Sequence, residues 1–186
     1  MSRIVSNLFL VLLLLLSGCG GGGEGGTGTN TAGSTTTVAV KFSAVSAGGN
    51  HTVALKPDGT LWAWGLNTSG QLGDNTNTNS PVPEKIGTAT NWFILSAGGS
   101  HTVALRTDGT LWTWGDNTQG QLGDNTNTNS IIPEKIGTDT NWAAVSAGSN
   151  HTAALKTDNT LWTWGLNNFG QLGNNTNTNS PVPNQI

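Results

Sequence analysis

The sequence predicts an almost all-β protein, a partial β-propeller of three four-stranded blades. Three observations predict it. The chain is self-similar at a period of 50, with His51, His101 and His151 in equivalent positions and Trp62, Trp112 and Trp162 likewise. Each period holds short apolar runs broken by Asp-Gly or Asp-Asn turn signals. A content of 27 Gly, 8 Trp and 0 Tyr, with abundant Thr and Asn, favours strands and turns over helices. Four short strands repeated at this spacing are the pattern of propeller blades, whose sheets stack face to face around an axis.

The elements follow in chain order. Residues 1–18 read as a lipoprotein signal peptide: Arg3 supplies a positive start, and Leu8 to Leu16 form an apolar run far short of the roughly 20 residues that span a bilayer. The run ends in Leu16-Ser17-Gly18-Cys19, which resembles the lipobox of bacterial lipoproteins; that resemblance implies that Cys19 is lipidated and becomes the mature N-terminus. Cys19 is also the sole cysteine, so no internal disulfide framework exists. The expected location is the cell envelope, anchored in a membrane by the lipid and facing the periplasm or exterior. Gly20 in place of an aspartate makes the outer membrane the default. Residues 19–37 are a Gly/Thr-rich tether whose one charge is Glu24; with nothing apolar to bury, it reads as a flexible linker.

Residues 38–186 hold three tandem units, about 42–86, 92–136 and 142–186. In each unit an apolar strand such as Thr52 to Leu55 meets Thr60 to Trp64 across Asp58-Gly59, a tight-turn pair because it tolerates positive φ. Asp108-Gly109 and Asp158-Asn159 repeat it. A strand before the hairpin (Phe42 to Ser46, Trp92 to Ser96, Trp142 to Ser146) and one after it (Val82 to Ile86, Ile132 to Ile136) complete four per unit.

The run A-G-x-x-H-T-x-A-L-x-x-D-G-T-L-W-x-W-G-x-N-x-x-G-Q-L-G-D, present in near-copy from Val38 to Ile186, resembles the repeat of the regulator of chromosome condensation family. The resemblance implies propeller blades, normally seven in a closed ring. Three units depart from that count, and an isolated arc would expose apolar faces and unpaired strand edges at its ends. Three completions are open: self-association into a larger ring, closure with a partner protein, or a longer natural array.

His51, His101 and His151 lie one per unit, a blade apart, with no carboxylate or second histidine at ligand spacing. They read as structural imidazoles bonded to loop backbone, and no metal or cofactor is expected. Trp62 and Trp64, Trp112 and Trp114, and Trp162 and Trp164 alternate along a strand and project to one face, opposite Leu61 and Ala63. Packing between blades is the expected use, and a sugar-stacking platform is the alternative. The loop Asp74 to Ser80 has alternating oxygen ligands but lacks the glycine and distal glutamate of a helix-loop-helix calcium site; Asx-turn chemistry accounts for it.

Among the positions at which the units differ, Leu66, Asp116 and Leu166 align, as do Ser69, Gln119 and Phe169, all in the loop that leaves the Trp-rich strand. These six residues are the candidate binding face. Near-identity of the units argues against catalysis, since an active site needs different residues in different roles. A net charge of -3 without a basic cluster argues against nucleic acid. The expectation is a non-enzymatic, lipid-anchored module binding an unidentified protein, with a carbohydrate-binding module as the alternative. Guanine-nucleotide exchange, the activity of the family's eukaryotic founder, is implied by the resemblance alone.

Overall fold

The computed structural model describes residues 40–186. The signal peptide, Cys19 and the tether, expected over 1–37, lie outside the described residues. Among those described are 12 strands and no helix. Blade 1 comprises β1 (Ala44–Ala47), β2 (His51–Leu55), β3 (Leu61–Gly65) and β4 (Ser80–Lys85). Blade 2 comprises β5 (Trp92–Ala97), β6 (His101–Arg106), β7 (Leu111–Gly115) and β8 (Ser130–Lys135), and blade 3 β9 (Trp142–Ala147), β10 (His151–Lys156), β11 (Leu161–Gly165) and β12 (Ser180–Gln185). Each blade is an antiparallel meander of consecutive strands, so no strand is exchanged between blades.

The central hairpin forms where the alternation predicts it, with His51 opposite Gly65 and Leu55 opposite Leu61. Its turn differs from a two-residue Asp-Gly turn. Gly59 N–H bonds to the Lys56 carbonyl at 3.0 Å and Lys56 N–H to the Thr60 carbonyl at 3.0 Å, so Pro57 and Asp58 are the central residues, and Gly59 alone takes positive φ, 75°. The Asp58 carboxylate then accepts both the Thr60 N–H (3.0 Å) and the Thr60 hydroxyl (2.6 Å). In blade 3 Asn159 fills the left-handed position at φ 66°, as an asparagine can. The fourth strand starts two residues earlier than the apolar pattern suggests, at Ser80, because the β3 ladder bulges after Ala63 and resumes at Gly65 opposite Ser80.

Blades stack through one face of β2 and β3 against the next blade. Between blades 1 and 2 lie Val53, Leu55, Leu61, Ala63, Leu72 and Ile86 from one side, and Trp92, Ala97, Ala104 and Trp114 from the other. Between blades 2 and 3 the same positions recur, with Val103, Leu105, Leu111 and Ile136 against Trp142, Ala154 and Trp164. First strands approach each other across the junctions, β1 to β5 and β5 to β9. In each fourth strand the first residue, Ser80, Ser130 or Ser180, is the one that is buried.

The candidate interaction surface

The histidines sit at the junctions and bond to the neighbouring blade. His51 Nε2 lies 3.0 Å from Thr102 Oγ1, and Thr102 in turn donates its hydroxyl to the Gln71 carbonyl at 2.9 Å. A hydroxyl has one proton, so Thr102 accepts from His51, which fixes the proton on Nε2. The same carbonyl receives the Trp114 indole N–H at 3.0 Å. His101, Thr152, Trp164 and the Gln121 carbonyl repeat the set at 3.1, 2.9 and 2.9 Å. The expected partner, loop backbone, is thus replaced by a threonine hydroxyl, and the loop backbone sits one bond further on. Burial lowers the histidine pKa values, to about 4 for His51 and about 3 for His101, because an imidazolium in this apolar junction would be poorly solvated. Nδ1 of both rings has no partner.

The tryptophans divide into two sets. Trp114 and Trp164 are fully buried, each roofed by the preceding blade's Gln-Leu-Gly loop; a Cβ on Gly73 would stand 2.7 Å from the Trp114 indole nitrogen, and Gly123 relates to Trp164 in the same way. Trp64, whose outward side faces no other blade among the described residues, is half-buried. Trp62, Trp112 and Trp162 are half-buried too. They lie at the turn end of the blade, where each indole N–H donates to Thr60, Thr110 or Thr160. Lys56, Arg106 and Lys156 lie over their rings at 3.4, 3.6 and 4.0 Å, so a stacking sugar would have to displace a cation.

The six candidate loop residues share one end of the molecule. Each lies in a loop between the third and fourth strands of a blade, and each loop is held open by a buried asparagine that the sequence reading did not single out. Asn67 Nδ2 donates to Asp74 Oδ1 and the Thr76 carbonyl, both at 3.0 Å, while its Oδ1 accepts the Leu72 N–H at 2.9 Å; Asn117 and Asn167 do the same. The signal available was Asn recurring two residues after each Trp-Gly. In the Asn-rich segment the Asp74 carboxylate accepts the Thr76 N–H at 2.9 Å, an Asx turn.

Neighbouring loops interlock into a continuous floor. Asn75 N–H bonds to the Ile131 carbonyl at 3.0 Å, and Asn125 N–H to the Pro181 carbonyl at 2.9 Å. On this floor Leu66, Ser69, Asp116, Gln119 and Leu166 are half-buried, whereas Phe169 is 92% exposed. Two candidates are engaged inside the protein. Asp116 Oδ2 accepts Gln121 Nε2 at 2.8 Å, and Gln119 Oε1 accepts Asn179 Nδ2 from the next blade at 2.8 Å. The loops 66–79, 116–129 and 166–179 contain Asp74, Asp116 and Asp124 and no Lys, Arg or His. The face is therefore neutral to acidic, rich in amides and hydroxyls, with one protruding aromatic ring.

The family model described as "Regulator of chromosome condensation (RCC1) repeat" matches residues 58–105, 108–155 and 158–186, and a second model of the same description matches 42–71 and 142–171. The chain superimposes on human WBSCR16 with a TM-score of 0.70 at 24% identity, covering 78% of this chain and 38% of that one. It superimposes equally, with a TM-score of 0.70, on Prp20p from Saccharomyces cerevisiae, a protein described with its binding to Gsp1p and histones (23% identity, 78% and 38%). The structure of Kap60 bound to yeast RCC1 (Prp20) gives the same TM-score at 25% identity, over 78% of this chain and 37% of that one. A bifunctional serine/threonine-protein kinase/NEDD4-like E3 ubiquitin-protein ligase from Dictyostelium discoideum is 44% identical over 46 residues, 25% of this chain and 2% of its own length. The chain spans well under half the length of each of these proteins.

Proposed function

Because the chain belongs to the regulator of chromosome condensation repeat family, we propose that it is a non-catalytic protein-binding or scaffolding module, held at the cell envelope by a lipid on Cys19. The observation that carries this reading is the loop floor. Buried asparagines and loop-to-loop bonds fix it, and it carries side chains that differ from unit to unit, with Phe169 of blade 3 protruding from it. A fixed floor presenting an aromatic anchor among adaptable polar groups suits recognition of another protein. Yeast Prp20p, of like fold, is described with protein partners. Lipidation rests on the Leu16-Ser17-Gly18-Cys19 motif.

The test is capture from envelope extracts by the full-length chain and by its Phe169→Asp and Asp116→Lys variants. A specific partner retained by wild type and weakened at least tenfold by Phe169→Asp is expected. Absence of a specific partner, or retention undiminished in both variants, overturns the reading. Cys19→Ala should shift the protein from the membrane to the soluble fraction. The occupied faces of Trp62, Trp112 and Trp162 do not favour the carbohydrate alternative.

A further inference from the structure

We propose that the outward face of blade 3 docks on the outward face of blade 1 of a second copy, head to tail, through the junction that the chain already makes twice within itself. The inference does not depend on which protein the loop floor binds.

The two end faces are the two halves of that junction. On blade 3, Leu155 and Leu161 are each 40% exposed, whereas their equivalents Leu55, Leu61, Leu105 and Leu111 are at most 3% exposed. Together with Ala144 and Ala153 they line an apolar groove of about 380 Å³. On blade 1, Val45 is 67% exposed, while its equivalents Leu95 and Val145 pack against the preceding blade.

The polar groups are complementary in the same sense. Inside the chain Ser46 Oγ accepts the Ala97 N–H at 3.0 Å and Ser96 Oγ the Ala147 N–H at 2.9 Å. Ser146 is exposed on blade 3, and Ala47 is exposed on blade 1. Two histidines reach a threonine one blade on; among the described residues nothing stands opposite His151, and Thr52 of a second copy occupies the equivalent place. The Gln71 and Gln121 carbonyls each take a threonine hydroxyl and an indole N–H. The Gln171 carbonyl would take Thr52 and Trp64 of the second copy. The order of donors and acceptors makes the contact heterologous: tail meets head, never tail meets tail.

A second copy is favoured over an unrelated occupant because each half-junction is already specified, residue by residue, by this chain's own sequence. A heterologous contact either closes into a ring or runs on as a filament. Two copies of the described blades supply six, one fewer than the seven that the family resemblance implies but within the range of about four to eight found in closed propellers; the dimer is the smallest species that can close.

Sedimentation of the full-length chain in density-matched detergent tests this, with wild type compared with Val45→Lys and Leu161→Glu. Both substitutions fall at exposed positions, so each variant should keep the strand signal in circular dichroism and the emission of its buried tryptophans. Wild type should be dimeric at micromolar concentration, and each variant alone should associate at least tenfold more weakly. An equimolar mixture of the two variants should regain dimers, because one tail and one head in each mixed pair are unaltered. A monomeric wild type overturns the proposal. So does loss of association in one variant only, which would mark a like-to-like contact.

Discussion

The Gln71 carbonyl illustrates how single groups hold neighbouring blades together. It accepts two hydrogen bonds from blade 2, from Thr102 and Trp114, while His51 completes the chain by donating to Thr102. Protonation would leave this bond in place but would bury a charge and a partnerless Nδ1–H, so the folded state favours neutral histidine. The folded pKa values of His51 and His101, about 4 and about 3, lie below the usual 6.5, so as pH falls the unfolded chain binds protons first. Stability should be flat above pH 6.5 and should fall by up to about 1.4 kcal/mol per pH unit for each histidine below it. The loss should extend down to the folded values. Urea unfolding between pH 7.5 and 4.5 checks this: wild type should lose stability across that window, and a His51→Gln/His101→Gln variant should lose much less. A second residue-scale test comes from Gln71 Nε2, which is buried without a partner. Its counterpart Gln121 Nε2 bonds to Asp116, where blade 1 has Leu66. Leu66→Asp should supply the missing acceptor and raise stability by about 1 kcal/mol, read as a shift in the urea midpoint; an unchanged or lower midpoint would show that the amide is not the limiting group.

At the scale of strands and loops, position within the stack decides what a side chain is worth. Trp64 and Trp114 occupy the same place on β3 and β7, yet Trp114 lies under the Gln71-Leu72-Gly73 loop of the preceding blade, and among the described residues Trp64 has no such roof. Trp114→Ala should therefore cost about 3–5 kcal/mol as a core truncation, and Trp64→Ala, measured on the monomer, about 1–2 kcal/mol. Equal costs would mean that the indoles act through their own blade and not through the junction. The hairpins were legible in the sequence because Leu-Trp-x-Trp alternates at the strand period and Asp-Gly sits between two apolar runs. The start of β4 at Ser80 was less so, since the bulge at Gly65 resets the register without any apolar signal. The junction chemistry was illegible for a different reason. Its central acceptor is a backbone carbonyl, which every residue carries, and its donors Thr102 and Trp114 lie 31 and 43 residues away. Repetition did not help, because in near-identical units the structural asparagine and the exposed threonine recur equally often.

For the whole molecule, the number of blades and their order were readable from the fifty-residue period, and the three antiparallel sheets follow it. The loop floor was readable only as a place where the units differ; that it is rigid comes from the buried Asn67, Asn117 and Asn167 and from bonds between loops. Charge follows the same polarity, with Lys56, Arg106 and Lys156 lying over indole rings at the turn end and only Asp74, Asp116 and Asp124 in the loops. The equivalence of the two internal junctions has a consequence for inheritance. Removing residues 92–141 would bring His51 to Thr152 and the Gln71 carbonyl to Trp164, the same pairs of residue types that meet now. Duplicating that stretch would be equally conservative. Unequal crossing-over within such a gene can therefore lengthen or shorten the protein by one blade in a single event, and each product meets a ready-made packing surface, so array length can drift faster than any individual contact.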